Sequence, residues 1–445
     1  MLNLFRRERN FYGLDIGSSR VKASCVNVRN SENMEILGAQ DTPTNGFKKS
    51  SISDLGDLAE CIQTTLSALS QKTGTKIKDL QLGIGAQLIE HRRSQAIIPL
   101  VEQGSKIITP NDVKLVNEQA RLLGMKMDED TIHHFAQVYR IDEVNSALNP
   151  VGLYARKLFV DLLLIVMNVT RINNLIKAVN QAGFEVDNIF FTSFAASEVC
   201  LNPKVKTDGC ALIDIGSSAT KVLIFKEGFL QNLDDIPLGG DHATRNIAQN
   251  LRLSFDLAEE IKKSYGMALS GEQEDPKSFS GEEAQESNQE SLTLQKNSLT
   301  LTKERKNRVV DEEILVKNDA GYLPVKREMI CHSLEPEINK LVSAIDKSLR
   351  GPFYHELKSG IIIVGGGSLL PGLLERIEKI TNLPVRMGKV IAGGIQLNSP
   401  AIFSASVGLT QLGFAKRFAL PFRPQGGGWT KGFSNRLREL YQEYF

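Results

Sequence analysis

The chain has 445 residues, 41% of them hydrophobic, with 53 Lys and Arg against 52 Asp and Glu. That length is about three times a usual single domain and calls for two or more lobes. The balanced charge leaves no global footprint for a nucleic acid. The five scattered cysteines (Cys25, Cys61, Cys200, Cys210 and Cys331) form no C-x-x-C pair, which argues against a zinc site or disulfide framework and for a reducing cytosol.

In chain order, Met1 to Asn10 carries Arg6 and Arg7 but no apolar run behind them, so no signal peptide is expected. Tyr12 to Ile16 and Val21 to Val28 then read as the two strands of a hairpin. Leu55, Leu58, Ala59, Ile62, Leu66 and Leu69 form one apolar stripe at helical spacing. Thr109, followed by Pro110 and by Asp112 three residues on, predicts a capped helix start. Leu158 to Met167 is ten residues long and interrupted by Asp161, too short to span a bilayer, and reads as a buried strand. Thr170 opens a third helix, with Ile172, Leu175, Ile176 and Val179 on one face, and Gly183 ends it. Strands alternating with helices predict an α/β protein.

The second half opens by repeating the first. Leu14-Asp15-Ile16-Gly17-Ser18-Ser19-Arg20-Val21-Lys22 returns as Ile213-Asp214-Ile215-Gly216-Ser217-Ser218-Ala219-Thr220-Lys221, with the same 199-residue spacing at both the Asp and the Lys. Strands at Ala211 to Ile215 and Lys221 to Phe225 flank the second copy as they do the first. Two similar lobes with one hairpin each is the economical reading; chance repetition of a short string is the other. A tight glycine turn at Gly17 or Gly216 presents backbone N–H groups and the hydroxyls of Ser18, Ser19, Ser217 and Ser218 to a phosphate. Asp15 and Asp214 suit the water shell of Mg²⁺. One such turn also ends ordinary hairpins, whereas two facing each other across a cleft would clamp a triphosphate.

Further on, Ser254 to Lys262 reads as a helix start, with Glu259 and Lys262 on one face; they would bracket an adenine or ribose edge, or form a solvated ion pair. Met267 to Arg308 is rich in Ser, Glu, Gln, Lys and Asn, and its composition predicts a disordered insertion. The buried strand Ile361 to Val364 runs into Gly365-Gly366-Gly367-Ser368 and a following helix, which lets a ligand approach the backbone; a flexible loop after a core strand is the bland alternative. Arg423 to Gly428 is rich in Pro and Gly and sets the last residues apart as a tail. There Trp429, Phe433, Leu437, Leu440, Tyr441, Tyr444 and Phe445 share one helical face, with Lys431, Arg436 and Arg438 on or near its flank. Such a helix suits the boundary of an anionic membrane, or else packs on the protein itself, a reading that Glu439 and Glu443 favour.

Taken in this order, the hairpins and the glycine turn resemble the phosphate-1, phosphate-2 and adenosine motifs of the actin-like ATPase superfamily. The chain resembles the FtsA family over nearly its whole length. Gln137-Val138-Tyr139-Arg140-Ile141-Asp142, then Asn149-Pro150-Val151-Gly152, is similar to the segment that FtsA carries in subdomain 1C. Pro237-Leu238-Gly239-Gly240, Thr244-Arg245-Asn246-Ile247-Ala248 and Ala258-Glu259 to Lys262 with Tyr265-Gly266 resemble its connecting and adenine-binding stretch. Thr381 to Gly388, with Ser406-Val407-Gly408-Leu409, resembles its closing strand and helix.

The resemblance implies a two-lobed actin-like ATPase fold of duplicated ribonuclease-H-like domains, with an FtsA-type 1C subdomain and a C-terminal amphipathic helix. On that pattern the first lobe core is 1–83 and 169–205, with subdomain 1C at 84–168 between them. The second core is 206–266 and 336–422, subdomain 2B is 267–335 with the insertion at 267–308, the linker is 423–428 and the tail helix 429–445. It implies ATP and Mg²⁺ as ligands, held by Asp15, Gly17, Ser18, Ser19, Lys22, Asp214, Gly216, Ser217, Ser218, Lys221, Gly239, Gly240, Glu259, Lys262, Gly365, Gly366 and Gly367. The family's second phosphate loop usually reads D-I-G-G-G-T-x-D; here Ser217, Ser218, Ala219 and Lys221 add Cβ atoms and charge and lose the last carboxylate. Phe191 to Ala196 also offers no acid where several related ATPases place one. ATP is therefore expected as an assembly ligand with weak or no turnover; were hydrolysis to occur, Asp15 and Asp214 are its candidate residues.

Lys326-Arg327-Glu328-Met329-Ile330, before Leu334-Glu335-Pro336, resembles the helix start of the FtsA lobe that receives the C-terminal peptide of FtsZ, so the resemblance implies that peptide at Arg327, with a solvated charge as the other reading. It also implies copies of the same chain in filaments, an anionic membrane surface met by Trp429, Phe433, Leu437, Leu440 and Tyr441, and other division proteins. The expected place is the cytoplasmic side of the bacterial inner membrane at the septum. Two other readings stand beside it. One is a true ATPase or sugar-kinase-like enzyme, for which neither a positioned base nor an acceptor lobe is evident. The other is a PilM-like pilus-assembly protein, a similar fold without a comparable terminal helix.

Overall fold

The first repeat folds as the hairpin that its spacing predicts: Arg9–Ile16 pairs antiparallel with Arg20–Asn30, and Asp15 stands opposite Lys22. The second does the same, with Cys210–Ile215 against Thr220–Lys226 and Asp214 opposite Lys221. The computed structural model describes residues 9–30, 33–48, 51–85, 88–142, 145–268, 313–318 and 321–418. Those within Met1–Pro237, Lys347–Ser368 and Leu383–Phe445 form one compact unit, and those within Leu238–Asp346 and Leu369–Asn382 a second. The tail, its linker and most of the expected insertion lie outside the described residues.

In the first unit each hairpin is extended in the same way. Asn33–Pro43 adds antiparallel beyond the first hairpin, and Asp79–Ile84 and then Glu185–Phe191 add parallel on its other side. Phe229–Ile236 adds antiparallel beyond the second, and Ile361–Val364 and Val385–Met387 add parallel. Parallel neighbours need a long crossover. The first is the helix Leu55–Thr73, whose predicted stripe is the face it buries, through Leu58, Ala59, Ile62, Leu66 and Leu69. The hairpins are thus central in their sheets, and their turns are held by strands on both flanks.

A separate four-stranded antiparallel sheet is ordered Asn145–Ala147, Glu129–Ile141, Lys157–Asn168, Glu90–Pro99. The apolar run predicted as a buried strand is the strand Lys157–Asn168, and alternation explains its continuity. Leu158, Val160, Leu162, Leu164 and Val166 pack with Val113, Val116 and Ala120 of the helix Pro110–Gly124. Leu163, Ile165 and Met167 point the other way, into the main core. That helix starts as expected, with Thr109 and Asp112 forming a reciprocal capping box. The third helix, Val169–Gln181, is capped by the side chain of Asn168 rather than opened by Thr170.

The second unit holds the helices Gly240–Leu251, Phe255–Tyr265 and Leu373–Thr381, the hairpin Glu313–Asn318 with Gly321–Lys326, and most of the helix Arg327–Leu349. Ala268 is only 2% exposed, its N–H donates to Pro371 at 2.8 Å and its carbonyl accepts from Arg376 at 2.5 Å. The anchored chain therefore runs two residues into the range read from composition as insertion. Among the described residues no helix is long and apolar enough to cross a membrane.

Candidate nucleotide site

The first turn is closed by the Gly17 N–H donating to Arg20 at 3.2 Å, and is braced by a residue that local spacing does not single out. Thr44 donates its hydroxyl to the Gly17 carbonyl at 2.8 Å and its N–H to Ser19 at 3.0 Å. Asp15, 6% exposed, accepts a 2.8 Å hydrogen bond from the Lys22 ammonium, its partner in register. Burial alone would lower the Lys22 ammonium; the charge and hydrogen bond of Asp15, then the charges of Asp214 and Asp41, outweigh it and leave it raised.

The second turn closes through Gly216 donating to Ala219 at 3.0 Å, but its charges are arranged differently. Lys221, only 1% exposed, lies 3.0 Å from Asp235 on the next strand and not at the turn. Burial lowers this ammonium, with Asp235 pulling against it. As a contact for phosphate Lys221 is therefore spent on the neighbouring strand. Asp214 instead accepts from the Ser193 hydroxyl at 2.7 Å. Burial raises the Asp214 carboxyl, against the hydrogen bond of Ser193 and the charge of Lys22. Within this one unit the two turns meet: Ser18 Oγ is 3.4 Å from Ser218 Oγ.

The three glycines of this turn divide into two roles. Gly365 has φ +86°, and a Cβ there would lie 2.6 Å from Asp214 Oδ1 and 2.5 Å from the Ile215 carbonyl. A Cβ at Gly367 would meet Ile215 Cγ2 at 2.3 Å, whereas at Gly366 it would meet nothing within 4 Å. Gly365 and Gly367 thus let this turn lie against the second hairpin, and only Gly366 leaves open space.

In the second unit, taken alone, Gly239 and Gly240 open the helix Gly240–Leu251. Glu259 and Lys262 pair at 2.6 Å, and Lys262 donates to the Gly240 carbonyl at 3.1 Å and to Thr244 Oγ1 at 2.7 Å. Burial would raise the Glu259 carboxyl, but Lys262 and Thr244 hold it below its ordinary value. The pair is a partly buried brace between two helices rather than a solvated one. Arg327 is half-buried and donates through Nε to the Tyr265 carbonyl at 3.0 Å, at the end of the helix Phe255–Tyr265. Trp429, Phe433, Leu437, Leu440 and Tyr441 lie outside the described residues.

The donor set at the two turns fits a polyphosphate with a hydrated divalent cation. Two carboxylates supply the hard oxygens that Mg²⁺ engages, often through water. Ser18, Ser217 and Ser218 are half-exposed and Ser19 is exposed, so their hydroxyls are accessible, and the space beside Gly366 is open. Lys22 supplies the positive charge.

Two family models match this sequence. One described as "Cell division protein FtsA" matches residues 211–408, and one described as "SHS2 domain inserted in FTSA" matches residues 86–166. Among curated proteins, the cell division protein FtsA of Pseudomonas aeruginosa is 28% identical over 410 residues, 91% of this chain and 89% of that protein. FtsA of Streptococcus pneumoniae is 27% identical over 395 residues, 89% and 78% of the two chains, and FtsA of Escherichia coli 24% over 413 residues, 90% and 89%. Among solved structures, a PilM–PilN type IV pilus biogenesis complex superposes with a TM-score of 0.59 at 15% identity, over 91% of this chain and 98% of that one. At that identity the likeness shows a shared fold and nothing of function.

Proposed function

This chain belongs to the FtsA family of cell-division proteins and has the actin-like fold, and on that premise we propose that it is an ATP-binding anchor for the division ring. The observation that carries the nucleotide part is the meeting of the two turns, with Asp15, Lys22 and Asp214 beside them and Ser18 at 3.4 Å from Ser218. Mg²⁺, when bound, supplies the charge that offsets the phosphates. Asp15 and Asp214 would accept hydrogen bonds from its waters, Lys22 would lend positive charge from beside Asp15, and the hydroxyls and N–H groups of the turns would orient the phosphates. No carboxylate stands in Phe191 to Ala196 to take a proton from water, and Ser193 there already donates to Asp214. ATP is accordingly an assembly ligand, turned over slowly if at all.

The rest of the proposal follows the family. The C-terminal peptide of FtsZ docks on the hairpin and helix start around Arg327, copies of the chain associate into filaments, and other division proteins are gathered there. The tail residues Trp429 to Tyr441 hold the assembly on the cytoplasmic face of the inner membrane at the septum. Arg327 Nε is engaged with Tyr265, so its part in the peptide contact is positional as much as electrostatic.

The test of the nucleotide reading contrasts the two repeats with a fluorescent ATP analogue and magnesium. Asp15→Ala and Lys22→Ala should each weaken binding at least about tenfold, the weight of one hydrogen bond to a charged group. Lys221→Met should stay within about threefold, since Lys221 is paired away from the turn. Parental affinity in folded Asp15→Ala would remove the site, and turnover above about 1 s⁻¹ would favour a true ATPase.

A further inference from the structure

The two repeats hold their aspartates by different means. Register sets Lys22 opposite Asp15 and Lys221 opposite Asp214. In the first repeat the ammonium takes that partner at 2.8 Å; in the second it takes Asp235 instead, at 3.0 Å. Asp214 is left to a neutral donor, the Ser193 hydroxyl at 2.7 Å. Ser193 is 1% exposed and sits in the first turn of the helix Thr192–Cys200, which lacks a side-chain cap of its own. The positive end of that helix therefore also favours a carboxylate here. The other oxygen, Oδ1, lies against the Gly365 backbone, where a Cβ would come within 2.6 Å. One oxygen is tied by Ser193 and the other is left room by the missing Cβ of Gly365, so the carboxylate is oriented and still has an oxygen to offer.

From this geometry we infer that Ser193 is a positioning residue for Asp214, one that fixes the carboxylate without neutralising it and so keeps its charge for the hydrated divalent cation accompanying a nucleoside triphosphate. The inference rests on the nucleotide reading above and deepens it. An ammonium in the same place would orient Asp214 but offset its charge, as Lys22 does for Asp15. A hydroxyl orients and leaves the charge. Ser193 does not touch the cation or the nucleotide; it acts through Asp214.

The experiment titrates magnesium into metal-stripped protein at a fixed concentration of fluorescent ATP analogue and reads the half-saturating magnesium. Ser193→Ala should raise that half-point about tenfold, the weight of one hydrogen bond to a charged group, while saturating magnesium restores nearly parental affinity for the analogue. An unchanged half-point overturns the inference. So does a loss of binding that magnesium cannot restore, which would mark Ser193 as merely structural. If Ser193→Ala does not fold, Ser193→Cys keeps the volume with a weaker donor; a raised half-point there supports the role and a parental one overturns it. A parent that binds the analogue equally with and without magnesium overturns the inference but keeps the site, whereas a parent that never binds it sinks the nucleotide reading itself.

Discussion

At the scale of single residues, His133 shows how burial becomes pH dependence. It is 1% exposed, its ring lies 5.8 Å from Phe135, 5.9 Å from Phe190 and 5.2 Å from Phe194, and Nε2 accepts the Phe191 N–H at 3.0 Å. Accepting that bond requires the neutral ring. Burial, with a smaller push from Lys416, lowers the imidazolium from 6.5 to about 3. The unfolded chain takes up a proton near 6.5 that the fold refuses until about 3, so stability is whole above 6.5 and falls as the pH drops toward 3. The slope is about 1.4 kcal/mol per pH unit, and His134, also lowered by burial, adds to it. Urea unfolding at pH 7.5, 6 and 5 should show this loss in the parent and a shallower one in His133→Gln; parallel slopes would sink the assignment. None of this is legible in the sequence. A histidine in a polar-looking stretch gives no sign of the three rings that fold around it.

Among elements, those built from contacts close in sequence were legible and those built from distant partners were not. Both hairpins, the stripe of the helix Leu55–Thr73 and the cap at Thr109 rest on neighbours within a few residues. The choice of Asp235 by Lys221, the bracing of Asp214 by Ser193 and of the first turn by Thr44 depend on strand neighbours that only the sheet order supplies. Gln137 and Gly408 could be noted only as resemblance. The fold gives the reasons: Gln137, 7% exposed, donates to the Leu230 carbonyl at 2.7 Å, and a Cβ at Gly408 would lie 1.9 Å from the Ala195 carbonyl. The cap offers a clean test because Thr109 is exposed and its loss leaves no cavity. Thr109 Oγ1 accepts the Asp112 N–H at 3.3 Å, and Asp112 Oδ2 accepts the Thr109 N–H at 2.8 Å. Thr109→Ala should cost about 1 kcal/mol, within the usual span of roughly 0.5–2, and Thr109→Ser about none. Equal unfolding midpoints for parent and Thr109→Ala would mean that the helix Pro110–Gly124 is held by its buried face alone.

For the whole molecule, the proposed membrane attachment is the point to test, and among the described residues no helix is long and apolar enough to cross a membrane. The sequence places its candidate beyond the described residues, past the Pro- and Gly-rich stretch Arg423 to Gly428, so the anchor is argued from chemistry alone. Trp429, Phe433 and Leu437 recur at helical spacing, and burying each in the headgroup boundary should contribute about 1.5–3 kcal/mol. Lys431, Arg436 and Arg438 add roughly 1 kcal/mol each toward an anionic surface, less what Glu439 and Glu443 subtract. The apolar term is the larger. Trp429→Glu with Phe433→Glu removes two of the three anchors and adds two repelled charges, which the basic residues cannot offset. The double variant should therefore bind ATP as the parent does, since both phosphate turns lie outside the tail, yet fail to float with liposomes. Weak residual binding should rise with the fraction of anionic lipid and fall with salt, because that part of the attraction is screened. Flotation of the double variant, or a parent that never floats, would leave the tail as a helix packed on protein and would sink the anchor reading.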